Sequence, residues 1–379
     1  MKRTDTLIVG ASISGLASAA SLQKSGINYT IIERHDEIAY PWRHHYDRLH
    51  LHTNKRVSNL PYKNFSTDTP RYPTRQQVLL YLESYQKEFD IQTLFKTEAK
   101  SIKNEDDYWI THTSNGVFQS KYLIMATGAF GRPKTVLLNG MEAFPGSILH
   151  SSEYKTGKAF DGQKVLVVGF GNSACEIAID LYEQGAVPSM SVRSAVNVIP
   201  RDIAGIPILE LSQLMSHLPP RVADIISAPL MRLLFGDLTK LGLKKKPYGP
   251  FEQIREEGTI PVLDIGTVKH IRKGHIKIYG EIEQIERNTI YFSDGKQEDF
   301  DAIVACTGFD RGNTEILEVD KSRFEDLKNS VGKQKYFGKD GLYFCGFWVG
   351  PTGHIREITL DAQRIAKDIS KKEGLAKGF

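Results

Sequence analysis

Apolar residues in this chain gather in short β-branched runs, each followed by glycines or by a helical stretch of small residues. The first run is Thr6-Leu7-Ile8-Val9, and after it comes Leu16-Ala17-Ser18-Ala19-Ala20, which predicts a helix packed closely on a strand. A second run, Tyr29-Thr30-Ile31-Ile32, ends at Glu33. The spacing farther on predicts a helix from Arg75 to Phe89 and strands around Tyr108–Thr113 and Gly116–Met125. The pattern then starts again, with strands at Lys164–Val168 and Ser189–Val192. Late in the chain, Asp301–Ala305 and Gly341–Gly346 read as strands, the second rejoining the first domain, and Asp361–Ile369 reads as a closing helix. Strands alternating with helices predict an α/β fold with open parallel sheets, here two Rossmann-like dinucleotide-binding domains.

One stretch departs from this alternation. Residues from about Ile208 to Gly242 are rich in leucine, isoleucine and proline, and predict short amphipathic helices broken at Pro219-Pro220 and at Pro229. A lid, a homodimer or membrane-surface contact, and plain packing all remain open for them.

Glycines mark two of the strand-to-helix turns. The first reads Gly10-Ala11-Ser12-Ile13-Ser14-Gly15 and the second Gly169-Phe170-Gly171-Asn172-Ser173-Ala174. At such a turn a pyrophosphate lies against a helix N-terminus, where unpaired N–H groups and the helix dipole favour negative charge. Glycine allows the tight turn, the close approach of phosphate and the packing of helix on strand. Ser12 stands where the middle glycine is usual, and its hydroxyl is itself able to donate to phosphate. Glu33, with Arg34 beside it, lies where an acid grips an adenosine ribose. The second unit ends instead at Arg193 and Ser194, and a guanidinium pairs with a 2′-phosphate where a carboxylate would repel it. That pattern points to NADPH, with Arg201 as a second phosphate partner; a solvated strand-end charge is the other reading of Arg193.

Composition narrows the remaining classes. At 379 residues the chain holds two sizeable cores. The net charge of +4 is small, its basic residues are spread out, and this gives no case for nucleic acid as a partner. Lys244-Lys245-Lys246, the tight basic cluster, reads as a solvated turn. No uninterrupted apolar run approaches the roughly 18 residues of a membrane span. Met1-Lys2-Arg3 superficially resembles the start of a secretory signal, but cleavage there would delete the first glycine turn, so a cytoplasmic enzyme is expected. Cys175, Cys306 and Cys345 lie far apart, which predicts neither disulfides nor a metal site. The same spacing excludes disulfide reductases that relay electrons through a close dithiol.

Phe144-Pro145-Gly146-Ser147-Ile148-Leu149-His150, followed by Tyr154, fits the identifying sequence of class B flavin-dependent monooxygenases. With both glycine turns in order and the late Cys306-Thr307-Gly308 turn, the chain resembles that family. It is most similar to the YUCCA-type flavin monooxygenases of plant auxin synthesis. That likeness runs through Tyr46–His52, Tyr72–Gln77, Leu82–Tyr85, Phe235-Gly236-Asp237, Pro261–Thr267 and the closing helix.

The resemblance implies FAD on residues 1–155 and 301–379, and NADPH on 156–300 with a helical insertion at about 208–247. Gly10, Ser12, Ile13, Ser14 and Gly15 would then hold the FAD pyrophosphate and Glu33 its ribose, with Trp42, Arg43 and His52 along the cofactor. Thr127 and Gly128 form a small-residue turn where backbone meets a nucleotide. Gly169, Gly171, Asn172 and Ser173 would hold NADPH, with Arg193 at its 2′-phosphate, and His150 is assigned a structural role. Asn54, eleven residues before Phe65, matches an amide that lies beside the flavin and oxygen in animal and bacterial members; taken alone it reads equally as a loop cap.

The implied cycle is hydride transfer from NADPH to FAD, reaction with O₂ to give a C4a-(hydro)peroxyflavin, and oxygenation of a small organic substrate. The YUCCA likeness favours oxidative decarboxylation of a 2-oxo acid such as indole-3-pyruvate, with Arg356 or His354 as the cation for its carboxylate. Asn54 favours sulfide or amine oxygenation, and Baeyer–Villiger insertion is a third outcome of the same chemistry. An uncoupled NADPH oxidase and an accessory flavoprotein are the alternatives from other classes.

Overall fold

The computed structural model describes residues 1–215, 217–310, 314–318, 338–348, 350 and 352–375. Its contacts divide the chain into two units. The first comprises Met1–His44, Thr53–Arg132 and Asp310–Phe379; the second comprises His45–His52 and Pro133–Phe309.

In the first unit the opening strand Lys2–Val9 lies at the middle of a sheet. It pairs in parallel with Tyr29–Ile32 on one side and with Gly116–Met125 on the other. The returning strand Leu342–Phe344 also pairs in parallel with Gly116–Met125, so the late chain closes this sheet as expected. An antiparallel extension, Ala99–Glu105 and Tyr108–Thr113, runs out from the same long strand. Leu7, Leu123, Met125, Leu342 and Phe347 form the core under it. Above it lies the helix Ile13–Lys24, buried on every side from Ile13 to Leu22, which is why its sequence is almost entirely small or apolar. The terminal helix His354–Lys372 packs against that helix.

The second unit carries five parallel strands in the order Lys277–Tyr279, Val187–Ser191, Lys164–Val168, Ala302–Ala305 and Ser147–His150. Its fingerprint helix Asn172–Glu183 covers the middle strand. The fold class is therefore the doubly-wound α/β arrangement, present twice.

The helical insertion consists of Ile208–Met215 and Pro220–Phe235. Pro219-Pro220 separates them as expected, with Pro220 at the first helical position, where a missing N–H removes nothing. Pro229 does not break the second helix, contrary to the sequence reading. It lies on the exposed face, where water reaches the carbonyl that loses its backbone partner.

The helix Arg75–Glu88 was legible nearly to the residue, and its start shows why. Thr74 accepts from the Gln77 N–H at 3.2 Å while Gln77 accepts from the Thr74 N–H at 2.9 Å, a reciprocal cap. Along this helix Tyr81 and Tyr85 bond the backbone of residues 60–63 and so hold the loop that begins at Asn54. Replacing Thr74 by Ala should lower the stability of this unit by about 1 kcal/mol, read as a lower denaturation midpoint. An unchanged midpoint would mean the cap contributes nothing.

Candidate functional site

At the first turn the strand ends on Gly10, whose φ of +107° and lack of side chain are both required: a Cβ there would lie 2.9 Å from the Ala126 carbonyl oxygen. A Cβ on Gly15 would lie 1.9 Å from the Gly10 carbonyl oxygen, so the helix sits as close to the turn as backbone permits. Ser12 is the N-cap, with Ile13 and Ser14 in the first helical turn, where N–H groups lack partners within the helix. Glu33 braces this turn, accepting from the Ala11 N–H at 2.8 Å and from the His35 N–H at 3.1 Å.

These residues wall a cleft that opens to solvent. Gly10, Ser12, Glu33, Arg34 and Thr127 line it together, as the sequence reading grouped them, and Thr97, Glu98, Ala99 and Arg132 complete it. Sequence reasoning missed the latter four, which carry no motif and reach the cleft only through sheet topology. The Thr127 hydroxyl is buried there without a protein partner. An orphaned buried hydroxyl costs about 1–3 kcal/mol unless a ligand satisfies it, so the cleft fits a polar, phosphate-bearing group. Gly128, with φ +78°, continues the turn.

Trp42 and Arg43 lie in the short helix Tyr40–His44, outside the walls of this cleft. Arg43 pairs with Glu37 at 3.0 Å and Glu83 at 2.6 Å, which ties its helix to Arg75–Glu88. Asn54 is buried, and its side-chain oxygen accepts from the Arg56 N–H at 3.0 Å, capping the turn Lys55–Val57. Phe65 stacks on Tyr81 at 3.9 Å in the same unit.

Near the start of the terminal helix, burial removes charge. It lowers the His354 imidazole to about 4, helped by no carboxylate, so His354 is neutral at neutral pH and of the two expected cations Arg356 alone is charged. Burial first of all, with Glu357 adding to it, raises the Asp361 carboxyl to about 7.

The second turn repeats the first. Gly169 has φ +119°, and a Cβ there would meet the Cys306 carbonyl oxygen at 2.7 Å. Gly171 is the N-cap of the helix, and a Cβ on it would point into open space, the space that an approaching phosphate needs. Asn172 accepts from the Leu263 N–H at 2.8 Å and fixes the helix start to the strand Val262–Asp264. Arg193 and Ser194 are exposed at the end of Val187–Ser191; the Arg193 side chain is 73% exposed and 3.6 Å from Glu281. Such a pair is worth at most about 1 kcal/mol and yields readily to a phosphate. Arg201 pairs with Asp202 at 3.3 Å.

His150 and Tyr154 act within this unit as fasteners. The His150 Nδ1 accepts from the Ser152 N–H at 3.1 Å, which leaves the proton on Nε2 to donate to the Gly308 carbonyl at 3.1 Å. Tyr154 donates to Asp180 at 2.6 Å on the fingerprint helix. His52 also belongs to this unit, its Nε2 3.1 Å from the Glu176 carboxylate. Glu176 went unnoticed in the sequence, although an acid within Ala174-Cys175-Glu176-Ile177-Ala178 breaks an apolar run and signals a buried partner.

A family model described as pyridine nucleotide-disulphide oxidoreductase matches residues 7–202, just over half of the chain, and places it in that family. Indole-3-pyruvate monooxygenase YUCCA6 of Arabidopsis thaliana is 38% identical over 380 residues, covering 97% of this chain and 90% of its own. Indole-3-pyruvate monooxygenase YUCCA1 of Oryza sativa subsp. japonica is 36% identical over 370 residues, covering 96% and 90%. The chain belongs to the YUCCA-type flavin monooxygenases. It is an NADPH-dependent oxidoreductase with FAD as its second cofactor. Two solved structures share the fold. A flavin-containing monooxygenase from Stenotrophomonas maltophilia has a TM-score of 0.70 at 20% identity, covering 98% of this chain and 99% of its own. Cyclohexanone monooxygenase from Rhodococcus sp. Phi1 has 0.76 at 17%, covering 98% and 85%. In this YUCCA-type chain the three cysteines are free, and burial pushes all three thiols up, that of Cys306 to about 12. Among the described residues no helix is long and apolar enough to cross a membrane.

The raised Asp361 carboxyl has a definite pH signature. Between about pH 4 and pH 7 the unfolded chain releases this proton while the folded one keeps it, so stability falls as pH rises through that window. Asp361→Asn should flatten this decline, gaining on the native protein at pH 8 relative to pH 4 in denaturant titrations. Parallel pH curves would show that Asp361 is not the group responsible.

Proposed function

We propose that this flavin monooxygenase oxidatively decarboxylates a 2-oxo acid, with indole-3-pyruvate as the first compound to test. The observation that carries the reading is the near full-length likeness to relatives named indole-3-pyruvate monooxygenases, on a chain with two separate glycine cradles. The reaction consumes one 2-oxo acid, O₂, NADPH and a proton, and yields the acid one carbon shorter, CO₂, water and NADP⁺.

In this reading the first unit holds FAD, with the pyrophosphate at Gly10–Gly15, the ribose at Glu33, and Thr127 supplied with the partner it lacks. Arg34, Trp42, Arg43 and Gly128 flank the same cofactor, and His52 enters the assignment through family resemblance. The second unit holds NADPH at Gly169, Gly171, Asn172 and Ser173, with Arg193, Ser194 and Arg201 toward the 2′-phosphate. The division read from the sequence, 1–155 with 301–379 for FAD and 156–300 for NADPH, differs from the two contact units at residues 45–52, 133–155 and 301–309, which fold with the second unit. When bound, the flavin supplies hydride acceptance and oxygen activation. The protein orients the substrate, keeps water away and offers the Asn54 amide as a donor; Arg356 is the cation offered to the substrate carboxylate. Asn54 supports a second reading, oxygenation of sulfides or amines, through its match to the amide of the animal and bacterial members.

Purified protein supplied with NADPH and indole-3-pyruvate should consume both in equal amounts, release CO₂ and form little hydrogen peroxide. Peroxide matching all NADPH consumed, with every 2-oxo acid, sulfide and amine tried, would remove the monooxygenase reading. Asn54→Ala should lower coupled product formation about 10²-fold and raise peroxide release. A variant as well coupled as the native enzyme would leave Asn54 as a loop cap only. Arg193→Ala should cut the preference for NADPH over NADH about tenfold, measured as the ratio of kcat/KM values; an unchanged ratio would mean that the 2′-phosphate is bound elsewhere.

A further inference from the structure

The helix Pro220–Phe235 has two apolar faces, and the fold buries only one of them. Ala223, Asp224 and Phe235 are buried, and Met231 packs against the core of the second unit. Asp224 is satisfied there, accepting from the Phe251 and Glu252 N–H groups at 2.9 and 3.0 Å at the start of the helix Pro250–Glu257. On the opposite side Val222, Ile225, Ile226, Pro229, Leu230 and Leu233 all face solvent, Ile225 at 72% and Leu233 at 82% exposure. These residues stand three, four, seven, eight and eleven positions after Val222, so they form one stripe along about three turns of helix. Water-facing helix positions ordinarily carry polar residues, and a contiguous apolar patch on the order of several hundred Å² marks a surface that something else covers.

Charge beside the stripe has one sign. Arg221 and Arg232 lie on the same flank, next to Ile225. Lys240, Lys244 and Lys245 follow and are exposed as well, whereas among the described residues from 221 to 245 Asp237 is the single exposed acid. Glu252, 2.9 Å from Arg221, offsets one of the five bases. A second copy of the chain is poorly matched to this surface, since it would bring the same five bases and the same acid to the contact. Paired antiparallel about a two-fold axis, the helices would set Arg221 of each beside Arg232 of the other. Such a contact would also dry the stripe around Pro229, which has no N–H to give the Ile225 carbonyl, and leave that carbonyl without a donor. A bilayer surface has neither fault. Anionic headgroups supply the complementary charge and stay wet, while the acyl chains just beneath them accept isoleucine and leucine.

We propose that the exposed stripe of Pro220–Phe235 is a docking surface for an anionic lipid bilayer. The helix lies flat on it, with Ile225, Ile226 and Leu233 sunk below the headgroups and Arg221, Arg232 and the following lysines level with the lipid phosphates. It rests on the bilayer and does not span it, because its 16 residues are too few. Docking of this kind is independent of which 2-oxo acid, sulfide or amine the enzyme oxygenates.

The test floats the FAD-loaded protein with vesicles on a density gradient. Phosphatidylcholine vesicles containing about 30% phosphatidylserine should carry most of the protein upward at low salt, and phosphatidylcholine alone about tenfold less. Roughly 0.5 M salt should release most of what is bound. Ile225→Ser combined with Leu233→Ser removes apolar area without touching charge, and should cut binding at least about tenfold. Arg232→Glu combined with Lys240→Glu should abolish the preference for phosphatidylserine. All four positions are exposed, so the denaturation midpoints of both variants should match the native one. A native protein that floats with neither kind of vesicle would overturn the proposal, and so would undiminished binding by the double serine variant. A dimer in sedimentation equilibrium that the two serines dissociate, without flotation of the native protein, would assign the stripe to a second copy instead. None of these outcomes alters NADPH oxidation with indole-3-pyruvate, which is measured without lipid.

Discussion

The approach of one backbone to another at the glycine turns is the constraint on which the remaining structure depends. At Gly10, Gly15 and Gly169 an added Cβ would stand 2.9, 1.9 and 2.7 Å from a carbonyl oxygen, and in each case that oxygen belongs to main chain that cannot swing aside. The helix start is thereby pressed against the end of its strand, and its unpaired N–H groups come to the edge of the sheet instead of into the core. Everything polar at each site is arranged around that edge. Glu33 holds the first turn from the neighbouring strand, and Asn172 ties the second to Leu263. Substituting alanine at these glycines would therefore change the position of a helix, and with it a whole site.

Much of this was legible in the sequence because it is local. Strands at Tyr29–Ile32, Tyr108–Thr113, Gly116–Met125 and Lys164–Val168 have the bounds that their apolar runs predict. Thr74 and Gln77, three residues apart, form the local cap that begins the helix expected at Arg75. The opening strand begins earlier than its apolar run, at Lys2, because its polar first half is held by pairing with Gly116–Met125 and not by burial. Pro229 misled because a proline is judged a breaker by its own geometry, whereas its cost depends on whether water reaches the carbonyl it orphans.

What the sequence concealed is long-range pairing between charges. Tyr46–His52 carried part of the family likeness, but nothing local says that Tyr46 and His52 end on an acid 130 and 124 residues later. Likewise Thr97–Ala99 reach the first cleft because the Thr97 N–H donates to the Glu33 carbonyl at 2.8 Å, a pairing of residues far apart in the chain. Fingerprint motifs locate the phosphate end of a nucleotide site, and tertiary structure decides the rest of its wall.

The two units also show burial leading to opposite protonation states. Glu176 and Asp361 are both carboxylates on buried helix faces, 1% and 7% exposed, and desolvation acts on each in the same direction. Four side chains from residues 45–52 surround Glu176 with donors and positive charge, and it stays ionised. Asp361 has the like-charged Glu357 nearby, which adds to the effect of burial, and it keeps its proton to about pH 7. His354, half-buried on the same helix, is neutral at physiological pH through desolvation as well. One helix thus bears a buried carboxyl that holds its proton to about pH 7, and the other a fixed negative charge made tolerable by the Arg48 guanidinium and by the Tyr46 hydroxyl.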